Sequence, residues 1–349
     1  MRILVIGGTH FIGLAAVRRL SEQGHDIAVF HRGQSEPELP SSIQHIHSEG
    51  KHFPVHFSSE SVEAFRRFAP DVVLHMVLFG EQDAHEAVKT FKGEARRLVA
   101  ISSQDVYRAF GRVNGHEGGA PDPLPITEDS PLRESRYPYR SDPPRASDDP
   151  QRWMDLYDKI PAEQIIMSER ELPGTVLRLP AVYGPGDFQH RHFPWLKRMQ
   201  DQRPVILLDE AEARWRWTYG YIDNIAAAIA LAVTDERARG RIYNVGEETA
   251  LSMEERVRLV GQLAGWRGRV VLAPQGRLPE ALKWGINAGQ DVVVDSSRIR
   301  RELGYREVVS VDEAMKRTVA WENENPPEEI DAKLFDYAAE DAFLADSHL

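Results

Sequence analysis

Four apolar residues stand together near the start of the chain, Ile3-Leu4-Val5-Ile6. An unbroken run of this length predicts a strand buried on both faces, as in a parallel sheet. Gly7-Gly8-Thr9-His10 interrupts it. Phe11, Ile12, Ala15, Ala16 and Leu20 then recur at helical spacing, with Arg18, Arg19 and Glu22 on the opposite side. Gly24 ends that helix, and Ile27-Ala28-Val29-Phe30 is a second apolar strand. Strand, glycine turn, helix and strand within about thirty residues make a βαβ unit. The alternation continues through helical 61–68, strand-like 72–77, helical 84–92 and strand-like 98–101, then strand-like 176–179, helical 222–233 and strand-like 242–245. Such repetition predicts a doubly wound α/β sheet.

Two stretches depart from the pattern. Residues 112–152 hold many prolines, glycines and charges and read as a long irregular insertion at the sheet's edge, the kind of loop that serves as a lid or stays disordered. After Pro326-Pro327 the tail is acidic, yet Ile330, Leu334, Tyr337 and Ala338 fall on one helical stripe. It reads as a short docking helix or as a solvated tail.

Charge and composition narrow the functions. Lys plus Arg number 43 and Asp plus Glu 54, for a formal net charge of −11, which disfavours nucleic acid and anionic membranes as partners. There are no cysteines, so disulfides, thiolate metal sites and cysteine nucleophiles are excluded. The first apolar run is too short for a signal peptide, and the longest, Ile225 to Val233, is too short to span a bilayer. A cytoplasmic protein is the simplest expectation.

The first turn carries the clearest chemistry. Gly7 lets the backbone turn after the strand, and Gly13 lets the following helix pack close to the sheet. An anion such as a dinucleotide pyrophosphate is then favoured at the helix N-terminus, with Gly7, Gly8, Thr9, His10, Phe11, Ile12 and Gly13 forming the cradle. His10, where a middle glycine normally stands, is expected to cap the loop. The second strand ends His31-Arg32-Gly33 without a carboxylate, and Arg32 favours NADP over NAD.

From here the chain resembles the extended short-chain dehydrogenase/reductase family, the NAD(P)-dependent sugar epimerases and dehydratases. The opening turn Gly7 to Gly13 looks like the variant of the family's atypical members. Ile101-Ser102-Ser103-Gln104-Asp105-Val106-Tyr107 is similar to the strand that presents a catalytic Ser or Thr, and Leu177 to Asp187 to the strand and loop beside the nicotinamide. Tyr243-Asn244-Val245-Gly246 and Asp295 to Tyr305 resemble its late motifs, in the family's order. The resemblance implies a Rossmann-like doubly wound parallel sheet with a smaller C-terminal substrate lobe. Residues 1–180 and 217–246 would form the dinucleotide-binding domain, 181–216 and 247–325 the lobe, and 326–349 the tail. It also implies a homodimer.

It further implies a Ser, a Tyr and a Lys as the catalytic centre, the Lys four residues after the Tyr on one helix, holding the nicotinamide ribose and lowering the phenol's pKa. Ser103 and Lys159 match, but Asp155 stands where the tyrosine is expected. Tyr157 is two residues from Lys159, about 200° away on a continuous helix, and reaches the site only if the helix begins later. Pro161 and the N-cap candidate Asp158 are compatible with that start. Tyr137 and Tyr139 are further candidates. Three readings stay open: Tyr157 acts from an altered helix start, Asp155 replaces it, or hydride chemistry is lost.

On the substrate side, Arg216 in Arg214-Trp215-Arg216-Trp217 is similar to the family's diphosphate-binding Arg, and Tyr183 is a second candidate. A second such Arg is expected just before Asp291, where the chain has Gln290. Asp187, His190 and His192 have no further ligand beside them, and no metal site is expected. No Gly-x-Ser-x-Gly elbow occurs. Two functions follow as expectations. One is an NADP- or NAD-dependent epimerase, dehydratase or reductase acting on a small sugar-like or carbonyl substrate, for which a nucleotide sugar is a candidate. The other is a non-catalytic dinucleotide-binding regulator or RNA-binding protein, as in plant chloroplast stem-loop RNA-binding relatives with a similar opening turn.

Overall fold

The first apolar run forms β1 (Arg2–Ile6) at the centre of a seven-stranded parallel sheet. In this computed structural model residues 1–50, 53, 56–279 and 282–347 are described. After β1 the chain forms α1 (Phe11–Glu22), β2 (Asp26–His31), β3 (Gln44–His47), α2 (Ser59–Phe68), β4 (Val72–His75), α3 (Glu81–Phe91) and β5 (Arg97–Ser103). Next come α4 (Arg108–Val113), α5 (Lys159–Ser168), β6 (Gly174–Leu179), β7 (Ala181–Tyr183), α6 (Phe193–Gln200), β8 (Val205–Asp209) and α7 (Glu210–Arg214). The last elements are β9 (Tyr219–Tyr221), α8 (Ile222–Thr234), β10 (Arg241–Asn244), α9 (Met253–Leu263), β11 (Arg269–Ala273), α10 (Ser297–Leu303), α11 (Val311–Glu324) and α12 (Tyr337–Ser347).

The main sheet has the order β3-β2-β1-β4-β5-β6-β10, all parallel. Strand alternation divides its core in two. Ile3 and Val5 pack with α1 and α8 on one face, Leu4 and Ile6 with α2, α3 and α5 on the other. The strand order reverses beside β1, so a crevice opens where β1 and β4 end, the place where such sheets take ligands. β3 pairs beside β2 as the sheet's last strand, an element the apolar pattern does not predict because Gln44-His45-Ile46-His47 has one apolar residue.

A smaller body follows, built on the parallel pair β8 and β11 with α7 and α9 packed near it. Residues 112–152 contain no strand. They run across the C-terminal ends of the strands instead of lying at the sheet's edge: the Arg133 amide donates to Val106 O (2.8 Å) and the Asn244 amide to Glu128 Oε1 (2.9 Å). In the tail, α12 is held by charge and not by the apolar stripe. Arg198 Nε donates to Glu340 Oε1 (2.8 Å), Tyr337 donates to Asp201, and Ile330 and Leu334 stay exposed. Among the described residues no helix is long and apolar enough to cross a membrane.

Candidate active site

Gly7 leaves β1 with φ of 83°, a conformation that side chains resist. A Cβ on Gly13 would lie 2.5 Å from Gly7 O, so α1 can sit this close only with glycine there. His10 occupies the N-cap of α1 but makes no side-chain cap, contrary to expectation; its ring lies edge-on to Phe188 at 5.6 Å. The first-turn amides of α1 therefore face a cavity of about 710 Å³ without a capping side chain. Gly7, Thr9, His10, Phe11, Ile12, Gly13, His31 and Arg32 all line it, whereas Gly8 is buried among Val5, Val17 and Val29. The Arg32 guanidinium lies 3.8 Å above the Phe53 ring. A glycine-built cradle, bare amides and a cation at the end of β2 fit a dinucleotide.

Beside this cavity the ends of β4 and β5 gather the catalytic candidates. α5 begins at Lys159, with Asp158 as its N-cap accepting from the Ile160 amide. Pro161 is in the first turn, where its missing N–H costs nothing. Tyr157 precedes the helix in extended conformation and so is free of the 200° constraint. Its hydroxyl donates to Asp105 Oδ2 at 2.8 Å, and Tyr139 from the insertion donates to the same oxygen at 2.9 Å. Ser103 Oγ accepts from the Asp105 amide at 3.1 Å. Lys159 donates to Leu78 O and Ile101 O, both at 2.9 Å, and its Nζ is 5.5 Å from the centre of the Tyr157 ring.

Electrostatics here run opposite to the expected lowering of a tyrosine by lysine. Burial, and then the Asp105 carboxylate, raise the Tyr157 hydroxyl well above its ordinary value. Burial also lowers Lys159 to about 8, against the opposing pull of Asp105, Asp83 and Glu163. Lys159 spends two donors on the Leu78 and Ile101 carbonyls and none on the phenol, which faces a carboxylate instead.

Asp155 is not part of this cluster. It accepts from the Ser141 and Arg145 amides and pairs with the Arg145 guanidinium. Burial pushes its carboxyl up, but these donors outweigh it and hold it below its ordinary value. Asp155 thus ties the insertion down and has no proton to offer. Tyr137 is also elsewhere, covered by the Arg140 guanidinium at 3.8 Å.

Tyr183 is fully buried, donating to Glu247 Oε1 at 2.7 Å, and cannot meet a substrate. Arg216 donates to Ala250 O (2.8 Å) and faces Glu255, and is not part of the cavity wall. Gln290 is buried and accepts from the Asp122 amide, a structural role at the position where the resemblance implies a second phosphate-binding Arg. His190 pairs with Glu322 at 2.7 Å, while His192 is buried against Tyr183 and Trp195, so these two do not converge with Asp187. Asp105 was missed as a site residue; its partners lie 34 and 52 residues away in the chain.

The family model for the NAD dependent epimerase/dehydratase family matches residues 3–246. The chain belongs to that family. Within it, the chain is 23% identical to 2'-dehydrokanamycin reductase of Streptomyces kanamyceticus over 265 residues, 73% of this chain and 64% of the reductase, so it spans just under two thirds of that relative's length. It is 20% identical to dTDP-glucose 4,6-dehydratase of Salmonella typhimurium, covering 92% of both chains. It is also 23% identical to the chloroplast stem-loop binding protein of 41 kDa b of Arabidopsis thaliana, over 76% of this chain and 64% of that one. Among solved structures, WbmG of Bordetella bronchiseptica in complex with NAD and UDP has a TM-score of 0.65 at 19% identity, covering 94% of this chain and 96% of that one. These likenesses show a shared fold, a Rossmann-like parallel sheet in a family named for NAD.

Proposed function

We propose that this protein is an oxidoreductase of the epimerase, dehydratase or reductase type, using NADP or NAD on a hydroxyl or carbonyl carbon of a sugar-like substrate. The observation that carries the reading is the convergence of Ser103 and Tyr157 on Asp105, one through its amide and the other through its carboxylate, with Lys159 Nζ 5.5 Å from the centre of the Tyr157 ring. Arg32 at the end of β2, with no carboxylate there, supports NADP as the preferred form. A nucleotide sugar is the favoured substrate class. Relatives named dTDP-glucose 4,6-dehydratase and a neighbour holding UDP support it.

A dinucleotide bound in the cradle supplies hydride exchange at its nicotinamide. The chain's residues handle the proton. Ser103 Oγ orients the substrate oxygen toward Tyr157. When that oxygen loses its hydrogen, Tyr157 takes it while passing its own hydrogen to Asp105 Oδ2, so no free phenolate forms beside a carboxylate. In the reverse direction Asp105 returns the hydrogen to Tyr157, which protonates the substrate oxygen. Asp105 Oδ1 is buried and has no hydrogen-bond partner among the described residues, so the carboxylate reaches the phenol through Oδ2 alone. We assign the third Lys159 donor to a cofactor hydroxyl.

The test is a dinucleotide titration followed by turnover of a nucleotide-sugar panel, with wild type and D105N. Tight dinucleotide binding by both, with turnover only in wild type, supports the reading. No tight dinucleotide binding by wild type defeats it. A second reading, a dinucleotide-binding protein without turnover, draws on the chloroplast stem-loop binding relative and on Trp153 stacked over Phe79 (4.3 Å) across the approach to Tyr157. Retention of RNA on filters at low salt would favour its RNA-binding form.

A further inference from the structure

Three histidines meet at the outer edge of the main sheet. His45 and His47 are two apart on β3 and so share one face of the strand, and the β2–β3 register sets His47 opposite His31. A ring nitrogen from each lies within 4.8 Å of those from the other two. His31 Nε2 is 2.9 Å from His45 Nδ1, and the His31 and His47 ring centres are 4.7 Å apart. Glu36, on the β2–β3 loop, has Oε1 2.7 Å from His47 Nε2.

Packing does not require this arrangement. β3 is an edge strand, His47 is half exposed, and Ile46 already supplies the strand's core contact. The donor set is informative. Three imidazoles suit a first-row divalent ion such as Zn²⁺, while hard cations demand oxygen ligands. Nitrogens about 2.0–2.1 Å from a tetrahedral ion stand roughly 3.3 Å apart, and the three here lie within 4.8 Å of one another, His31 and His45 at 2.9 Å. Glu36 against His47 Nε2 is the carboxylate–histidine pairing common behind metal ligands.

We propose that His31, His45 and His47 bind a divalent transition ion of the Zn²⁺ class, with Glu36 orienting His47 and a water in the fourth position. The hydrogen now between His31 and His45 moves to His31 Nδ1. That displaces only a 3.2 Å contact from the exposed Gly33 amide, which water replaces. Because His31 also lines the cofactor cavity beside Arg32, the ion fixes the end of β2 and tightens dinucleotide binding.

The test uses the full chain without a histidine tag, stripped with a chelator. It is titrated with Zn²⁺ against a chromophoric chelator and with Co²⁺ by visible absorption, no dinucleotide being present. The expected result is one tight site per chain and a four-coordinate Co²⁺ spectrum that Zn²⁺ abolishes. H45A and H47A, both on the edge strand, each weaken Zn²⁺ more than about 100-fold, and E36Q about 10–100-fold. H190A binds as wild type does. Metal-free melting of each variant checks that it is folded. Zn²⁺ affinity unchanged in folded H45A and H47A, or only a six-coordinate Co²⁺ spectrum, overturns the site. Since the readout is metal binding alone, it stands or falls apart from the redox reading.

Discussion

Asp105 gathers two phenol hydrogens on one oxygen, and that contact separates the roles of the two tyrosines. Tyr157 also lies beside Lys159, its ring centre 5.5 Å from Nζ; Tyr139 only braces the carboxylate. Y157F should therefore keep its dinucleotide affinity and lose turnover by about 10²–10⁴-fold, whereas Y139F should lose far less. Steady-state kinetics beside a dinucleotide titration separate the two, and equal losses would contradict the assignment. At the cradle, G13A puts a methyl 2.5 Å from Gly7 O. It should abolish tight dinucleotide binding and cost about 1–3 kcal/mol of stability, read by titration and by urea melting. The cradle was legible in the sequence because all its residues are within seven positions. Asp105 was not, since hydrogen bonds spanning 34 and 52 residues leave no local pattern. Tyr183 shows the converse: a motif neighbour of the nicotinamide strand whose side chain turns into the core.

At the scale of elements, the late start of α5 decides which residue faces the site. Asp158 caps the helix and also pairs with Arg136 and the fully buried Arg133. D158A strands a buried guanidinium and should cost about 3–5 kcal/mol by denaturant melting, while D158N keeps the cap and should cost less. Lys159 adds a pH signature. Its folded pKa of about 8 lies below the ordinary 10.5, so between these values the unfolded chain binds the extra proton and stability rises with pH. Relative to K159M, wild type should gain up to about 3 kcal/mol from pH 8 to 10.5, and a flat difference would contradict the burial of a charged amine. Asp158 and Pro161 signal the helix start in the sequence itself. Strand β3 carries no such signal, and its histidines become a cluster only through pairing with β2.

For the whole molecule, the alternation of apolar runs and helical stripes was enough to predict the doubly wound sheet, because the central strands β1, β4 and β6 are buried on both faces. Which way the insertion runs, and how the tail docks, depend on polar contacts between distant segments and leave no periodicity. Burial of histidines gives the fold an acid limit. His75 is lowered to about 3, chiefly by burial and then by Lys159, and His192 falls well below its ordinary 6.5 for the same leading reason. Below pH 6.5 the unfolded chain gains protons the folded one refuses, so stability falls as the pH falls, by about 2 kcal/mol at pH 5 for His75, with His192 acting in the same direction. Melting temperatures from pH 7 to 5 should drop, with a shallower slope in H75Q. The central claim, that Tyr157 carries the proton with Ser103 and Asp105, is tested most directly by a crystal structure with NADP bound. The account predicts the Tyr157 hydroxyl and Ser103 Oγ within about 4–5 Å of nicotinamide C4, with room for a substrate oxygen between them. A nicotinamide that faces neither side chain, with Trp153 still stacked over Phe79 between them, would contradict it.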